Sequence, residues 1–150
     1  MDDNNFEKEF NLLIVDTFHN ILKVELKMIN SITKSGLSMR EVHLLEIVAK
    51  DKENRTTASI ISKSFGITLA SVTVMVNKLV ENGFLIKNKS KIDGRHIYLQ
   101  LTHKGKKINE EHENFHKKMI SKISRNLKEE EKITLAKGVK TLNEMFKSEF

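Results

Sequence analysis

The chain has 150 residues, of which 39% are apolar, enough for one ordinary globular domain, and its formal net charge of +6 favours an anionic partner. It contains no cysteine, which excludes disulfides, thiolate metal ligands and cysteine nucleophiles, and no proline, which leaves long segments free to be helical. No apolar run approaches the roughly 20 residues of a membrane span, and the acidic N-terminus is unlike a signal peptide. We therefore expect a cytoplasmic protein without membrane contact.

Long amphipathic helices are predicted at both ends of the chain. In segment 6–34 apolar residues recur with a period near 3.6, and two more helices are predicted within 102–150. Ser38, with Glu41 three residues later, predicts a capping box that opens a second helix. Terminal helices of this length cannot bury their apolar faces against a middle domain as small as 38–101. The sequence thus favours a homodimer.

The middle segment contains the pattern of a helix-turn-helix. Thr57 is a suitable N-cap for a short third helix that ends at Gly66, and Thr68 for a fourth helix that stops at Gly83. Two helices joined by a tight glycine turn are typical of that motif.

A basic hairpin is predicted directly after the fourth helix. In segment 84–102 the apolar period changes to two on either side of the turn Asp93-Gly94-Arg95, as in a small β-wing. Segment 83–107 carries seven basic residues and one acid, which equals the whole net charge of the chain. Such a localised excess indicates a surface that meets phosphates. The seven are Lys87, Lys89, Lys91, Arg95, Lys104, Lys106 and Lys107.

The fourth helix has two faces when its residues are projected at 100° each. One arc is apolar, with Leu69, Val72 and Val76 among its members. The other is small, polar and almost uncharged, so its hydroxyl and amide groups suit base edges in the major groove and its methyl groups suit thymine. The alternative is an ordinary solvent-exposed face. The predicted DNA contacts on this helix are Thr68, Ala70, Ser71, Thr73, Val74, Asn77 and Lys78.

The hairpin and the third helix supply further predicted DNA contacts. A guanidinium at the turn, Arg95, suits the negative potential of the minor groove, with Asp93 and Gly94 supporting the turn. The remaining candidates are phosphate contacts, although solvated lysines on a hairpin are common. They are Lys87, Lys89, Lys91, His96, Ser59, Ser62 and Lys63.

The order of helices and the pattern Asp93-x-Arg95-x-x-x-x-x-Leu101-Thr102 resemble the MarR family of bacterial regulators. The resemblance implies a mainly α fold with a small β-wing, that is, a winged helix-turn-helix with long terminal dimerisation helices. It also implies a homodimeric repressor that binds a pseudo-palindromic operator in double-stranded DNA.

Three stretches resemble the fatty-acid-synthesis repressor subgroup, FabT-like, of that family. They are the segment starting Phe18-His-Asn-Ile-Leu, the segment starting Asn114-Phe-His-Lys-Lys-Met, and Gly-Ile-Thr-Leu-Ala-Ser-Val-Thr from Gly66. The resemblance implies control of lipid genes, with a long acyl chain on acyl carrier protein as effector and no resident cofactor. Apolar terminal helices suit an acyl tunnel and a dimer core equally.

A metal site is the rival effector hypothesis. His112 and His116 are four residues apart on one predicted helix face, a spacing that lets two imidazoles share a metal. Glu25 and His43 stand at positions that resemble ligands of zinc-responsive relatives. The alternative is an unliganded helical surface.

The sequence gives less support to an enzyme or to a protein- or RNA-binding module. The sequence has no Gly-rich phosphate loop, nucleophile elbow or catalytic serine or carboxylate constellation, so we expect no enzymatic activity. A winged helix that binds protein or double-stranded RNA is the remaining alternative.

Overall fold

The computed structural model describes residues 3–33, 36–90, 94 and 96–149. Within them the chain divides by its contacts into two units, Met1–Glu113 and Asn114–Phe150. None of the described helices is both long and apolar enough to cross a membrane. In chain order the elements are α1 Asp3–Thr33, α2 Met39–Lys50, α3 Ala58–Phe65, α4 Leu69–Glu81, β1 Leu85–Lys89, β2 Ile97–Leu101, α5 His103–Arg125 and α6 Glu129–Glu149.

The predicted helix starts are confirmed by their caps. The Ser38 hydroxyl accepts a hydrogen bond from the Glu41 amide at 3.3 Å, and the Glu41 carboxylate accepts one from the Ser38 amide at 2.7 Å. This is a complete capping box. Thr57 and Thr68 likewise cap α3 and α4 through their side chains. α1 starts at Asp3, three residues before the predicted boundary, because the polar first turn continues the helix.

A left-handed glycine ends α3 and starts the turn into α4. Gly66 has φ 62°, a conformation that favours glycine, and its amide closes the last turn of α3. The Ser62 hydroxyl donates to the Ile67 carbonyl at 2.6 Å, which fixes the same turn. Together α3, this turn and α4 form the predicted helix-turn-helix.

The wing is an antiparallel pair of strands. Its register places Leu85 opposite Leu101 and Lys89 opposite Ile97. The Leu99 amide also donates to the Thr56 carbonyl at 2.8 Å, so the segment before α3 is hydrogen-bonded to the outer side of β2. The predicted winged helix-turn-helix is therefore confirmed as the fold of this part of the chain.

The first unit has a continuous apolar core. Most of it comes from α2 and α4, with Phe84, Leu85 and Leu99 contributed by the wing and single residues by α1, α3 and α5. Leu69 belongs to the apolar arc of α4 but is 51% exposed, because it is the first residue of the helix and lies beyond the core. The buried apolar residues of α2 and α4 are Val42, Leu44, Leu45, Val48, Val72, Val76 and Leu79.

A close backbone approach joins the start of α5 to the start of the wing. The Thr102 hydroxyl donates to the Gly83 carbonyl at 2.6 Å and accepts from the Gly105 amide at 3.1 Å. A Cβ at Gly105 would overlap the Phe84 carbonyl oxygen and lie 3.3 Å from a Leu101 methyl. Only glycine fits here without displacing backbone.

Many apolar side chains of the terminal helices are exposed in the single chain. Phe18 of α1 is 56% exposed and Ile133 of α6 is 70% exposed. This matches the expectation that these helices do not cover their own apolar faces. Other exposed members are Phe6, Phe10, Leu12, Leu13, Leu22, Val24, Leu135, Val139, Met145 and Phe146.

Candidate functional site

The predicted DNA-contacting arc of α4 lies on the surface. Ala70, Ser71, Thr73, Val74 and Asn77 are all exposed, and Val74 is 68% exposed. The opposite arc is packed into the core, so the helix is fixed on one side and accessible on the other. A surface helix of small polar residues has the dimensions to enter a major groove.

The hydroxyl groups of this arc are already hydrogen-bonded. Thr68 Oγ1 accepts from the Ser71 amide at 3.2 Å and lies 2.8 Å from Ser71 Oγ. Thr73 Oγ1 donates to the Leu69 carbonyl at 2.8 Å. A hydroxyl that donates its proton inside the helix still has lone pairs outward. Thr73 is therefore suited to accept a hydrogen bond from an amino group of a base.

The wing and α4 are joined by a hydrogen bond across the surface. Lys87 Nζ, on β1, donates to Asn77 Oδ1 at 2.6 Å. The sequence predicts Asn77 as a base contact and Lys87 as a phosphate contact, but it gives no sign that the two side chains are hydrogen-bonded to each other. In the folded chain the lysine occupies the amide oxygen and leaves the amide N–H₂ available as donor.

Lys78 pairs with a buried acid rather than standing alone on the surface. Its ammonium lies 2.8 Å from Glu41 Oε1, and the Glu41 side chain is 4% exposed. Burial alone would raise the pKa of Glu41, but the Lys78 hydrogen bond and charge and the Ser38 capping bonds outweigh it and hold that pKa below its ordinary value. This pair fastens α4 to α2, in addition to any role of Lys78 on DNA.

The other predicted contacts are distributed around α4. Ser59 and Lys63 of α3 are exposed, as are Lys89 and Gly94 of the wing. The His96 ring is exposed and stacks on Tyr98 with centroids 6.3 Å apart. Ser62 is half-buried and its hydroxyl is used in the turn described above. The predicted contacts Lys91, Asp93 and Arg95 lie outside the described residues.

The structure brings together three of the four predicted metal ligands. Single ligand atoms of Glu25, His43 and His112 all lie within 4.8 Å of one another. Glu25 is on α1, His43 on α2 and His112 on α5, and the side chains of Glu25 and His112 are buried. Two imidazoles and a carboxylate are a donor set that zinc accepts, with a fourth position left to another ligand. The residues present therefore fit a zinc ion.

Two carboxylates, of Glu25 and Glu46, lie on either side of the His112 ring. Its Nε2 lies 3.6 Å from Glu25 Oε1 and its Nδ1 lies 3.9 Å from Glu46 Oε2. Burial would raise the pKa of Glu46, but the hydrogen bond and charge of Lys50, together with the nearby His112 and His43 side chains, outweigh burial and hold that pKa below its usual value. His116, the fourth predicted ligand, belongs to the second unit and stays a sequence prediction.

The family model described as transcriptional regulator SarA/Rot matches residues 27–112, more than half of the chain. The chain belongs to the SarA/Rot family of transcriptional regulators. The matched residues of this SarA/Rot-family chain run from the end of α1 through the helix-turn-helix and wing into α5. The prediction that the chain belongs to a family of transcriptional regulators is thereby confirmed.

Solved structures of MarR-type regulators share the fold. Streptococcus pneumoniae FabT, solved in complex with DNA, is 29% identical with a TM-score of 0.90, and 96% of this chain and 99% of that chain are covered. Staphylococcus aureus MepR, also solved with DNA, is 15% identical with a TM-score of 0.71, over 91% of this chain and 96% of MepR. A MarR family transcription regulator, SP03579, has a TM-score of 0.79 at 12% identity, over 97% of this chain and 95% of that chain, so the MarR resemblance of the sequence is confirmed.

Two Bacillus subtilis relatives match in sequence. The uncharacterized HTH-type transcriptional regulator YhjH is 31% identical over 86 residues, 57% of this chain and 48% of YhjH. The HTH-type transcriptional repressor YetL is 29% identical over 111 residues, 74% of this chain and 65% of YetL. The SarA/Rot-family chain thus spans from about half to just under two thirds of the length of these relatives.

Proposed function

We propose that the chain regulates transcription by binding a pseudo-palindromic site in double-stranded DNA as a homodimeric repressor. One observation carries this proposal: the exposed polar arc of α4 and the lysine-bearing strand β1 form a continuous surface, joined by the Lys87–Asn77 hydrogen bond. Small groups for base edges and cations for phosphates are then presented side by side. FabT and MepR were both solved on DNA with this fold, which supports the proposal.

The proposed dimer is supported by the apolar side chains that are exposed to solvent in the single chain. Exposed apolar residues recur along α1 and α6, including Phe10, Phe18 and Val139, and their number exceeds the scattered few of a soluble monomer. A second copy would cover these faces and place two α4 helices on one duplex.

The DNA proposal is tested by selecting bound fragments from genomic DNA and measuring their affinity by fluorescence anisotropy. Selected fragments are expected to contain half-sites about one helical turn apart, and affinity is expected to fall steeply with salt. A protein- or RNA-interaction module would show neither property. Equal binding to selected and random duplexes at all salt concentrations would contradict sequence-specific regulation.

Arg95→Ala is expected to weaken binding to a selected fragment by roughly tenfold, because it removes a guanidinium predicted to enter the minor groove. Arg125→Ala is the matched control, since it removes the same charge from an exposed position at the end of α5. Both variants should unfold at the same temperature as the natural chain. Equal affinities for the two variants at one salt concentration would contradict the predicted role of the wing.

Two effectors are proposed for this regulator. A long acyl chain on acyl carrier protein, with control of fatty-acid genes, is supported by the likeness to FabT over 96% of the chain. Zinc is supported by the convergence of Glu25, His43 and His112 from three helices. A zinc ion held there would join α1, α2 and α5 and so favour one arrangement of the DNA-binding residues carried by the same unit.

One pair of variants separates the effectors. His43→Gln removes a cluster ligand, whereas His103→Gln alters an exposed histidine on α5 outside the cluster. If zinc is the effector, it will change DNA affinity for the natural chain and for His103→Gln but not for His43→Gln. If acyl carrier protein with a long acyl chain is the effector, it will change DNA affinity for all three. Native mass spectrometry of the purified protein would show which species is bound.

A further inference from the structure

The hydrogen bond between the wing and α4 determines which polar atoms of Asn77 are left for a partner. Lys87 Nζ lies 2.6 Å from Asn77 Oδ1, and both side chains are exposed. Exchanging the oxygen and nitrogen of the Asn77 amide would set one donor against another, so the lysine also fixes the orientation of the amide. The Asn77 oxygen therefore points to β1, and its amide nitrogen is the group left for a partner.

Asn77 and Lys87 together present hydrogen-bond donors, and we refer to these two side chains as the donor pair. The amide nitrogen of Asn77 carries two N–H bonds, and the Lys87 ammonium has two N–H bonds besides the one given to Oδ1. The second lone pair of Oδ1 is a poor acceptor for a partner, because any donor that used it would lie beside the ammonium. The donor pair therefore suits a partner that offers acceptors.

The donor pair also carries a positive charge that its own hydrogen bond does not neutralise. Lys87 donates to an uncharged amide, whereas Lys78 on α4 lies 2.8 Å from the carboxylate of Glu41. Electronegative acceptor atoms are therefore attracted to the donor pair, and an amino group is repelled by it.

The donor pair lies on the same face of α4 as the other proposed base contacts. Thr73 is four residues before Asn77, and both are exposed, while Val72 and Val76 are buried in the core on the other side of the helix. The Thr73 hydroxyl donates to the Leu69 carbonyl, so it offers a partner its lone pairs. The face thus carries an acceptor and, one turn later, a group of donors.

Guanine is the base whose major-groove edge matches a group of donors. It offers two acceptors, N7 and O6, whereas adenine offers N7 beside an amino group, cytosine offers an amino group, and thymine offers one acceptor beside a methyl group. An unrestrained asparagine suits adenine, because its oxygen accepts from the amino group while its nitrogen donates to N7. In this chain Lys87 occupies the oxygen that adenine would need.

We propose that the donor pair selects guanine in the major groove, and that Lys87 is the positioning residue that sets this choice over adenine. Asn77 Nδ2 and Lys87 Nζ donate to the N7 and O6 atoms of one guanine in each half-site. Without the lysine, the Asn77 amide would regain the acceptor and donor that suit adenine. The choice of base rests on the proposed DNA binding and adds the identity of one base to it.

The test starts from a fragment selected from genomic DNA, in which each base pair of one half-site is exchanged in turn. Affinities are measured by fluorescence anisotropy at one salt concentration. At one position the natural chain is expected to prefer guanine to adenine by about tenfold, and Asn77→Ala is expected to lose that preference. Lys87→Met is expected to prefer adenine there, because its Asn77 oxygen is free to accept from the amino group.

Lys89→Met is the matched control, since it removes the same charge from another exposed lysine of β1. Both lysine variants lose affinity for every duplex through the missing charge, but this uniform loss cancels in the ratio of guanine to adenine affinities. Lys89→Met is therefore expected to keep the preference of the natural chain for guanine.

Three results would overturn the selection of guanine while leaving the DNA function intact. The first is a preference of the natural chain for another base at the position that responds to Asn77→Ala. The second is an equal loss for all base pairs in Asn77→Ala, which would make Asn77 a phosphate contact. The third is the same base preference in Lys87→Met and Lys89→Met. Equal binding of the natural chain to selected and random duplexes would instead remove the proposed function and the selection of guanine together.

Discussion

Gly105→Ala is expected to lower the free energy of unfolding by about 3 kcal/mol, which corresponds to a fall of roughly 6 to 12 °C in the unfolding temperature. The added methyl group would overlap the Phe84 carbonyl oxygen, and that oxygen belongs to backbone at the start of the wing. The neighbouring Phe84 ring is itself buried. The overlap between the alanine methyl group and the Phe84 carbonyl oxygen can therefore be removed only if α5 or the wing moves away from the core.

Gly138→Ala is the control for that change. Gly138 is in the interior of α6, and within the described part of the chain a Cβ there would have no atom within 4 Å apart from its own residue, its two neighbours and the nearby helix backbone. Alanine is a better helix former, so this variant should gain about 0.5 to 1 kcal/mol. Thermal unfolding by circular dichroism, at one protein concentration for all variants, measures both changes. Equal unfolding temperatures for Gly105→Ala and the natural chain would show that the backbone at Phe84 does not lie as close to Gly105 as described.

Glu41→Ala is expected to destabilise the chain by about 2 to 3 kcal/mol, because it removes half of the capping box and leaves Lys78 without its buried partner. Since the Lys78 side chain is 49% exposed, solvent limits this loss compared with a fully buried ion pair. Glu41→Gln retains a capping side chain but not the charge. The Glu41→Gln variant should therefore be about 1 kcal/mol more stable to unfolding than Glu41→Ala.

The contribution of Glu41 also has a defined pH dependence. The pKa of this carboxyl is lower in the folded chain than its ordinary value of 4.5, so its ionised form is the one that stabilises the fold. The difference in stability between the natural chain and Glu41→Gln should be fully present above pH 4.5 and should vanish as the pH falls through the lowered folded pKa. Urea unfolding over this range measures it. A difference that grows as the solution is acidified would contradict the assignment.

Much of the fold could be predicted because its signals are local. Ser38 with Glu41, Thr57 and Thr68 mark helix starts within a few residues, and Gly66 marks a turn by its backbone freedom. The change of apolar period from 3.6 to two marked the wing. Each of these patterns is complete within one turn of helix or one strand, so the sequence displays it directly.

The contacts that hold the candidate sites depend on residues far apart in the chain. Glu41 and Lys78 are on different helices, as are His43 and His112, and neither pair appears in a local pattern. The capping box explained Glu41 fully, so nothing in the sequence indicated its second partner. Histidine spacing on α5 indicated His112 with His116, whereas the structure places His112 with His43 and Glu25.

The burial of Asn109 was missed for the same reason. An asparagine inside a charged helix resembles an ordinary surface residue. Only burial shows that its amide oxygen lacks a donor. A useful signal would have been the polar Asn109 next to the apolar Ile108 on a helix face that period 3.6 places toward the core.

The Thr102 hydroxyl connects three elements through one oxygen atom. It donates to Gly83 at the end of α4 and accepts from Gly105 in the first turn of α5, while Lys104 donates to the Asn82 carbonyl at 2.9 Å beside it. The residues that follow α4 and the first turn of α5 are therefore hydrogen-bonded to each other. A displacement of the first turn of α5 would thus be transmitted to the C-terminal end of α4, which carries part of the proposed DNA surface.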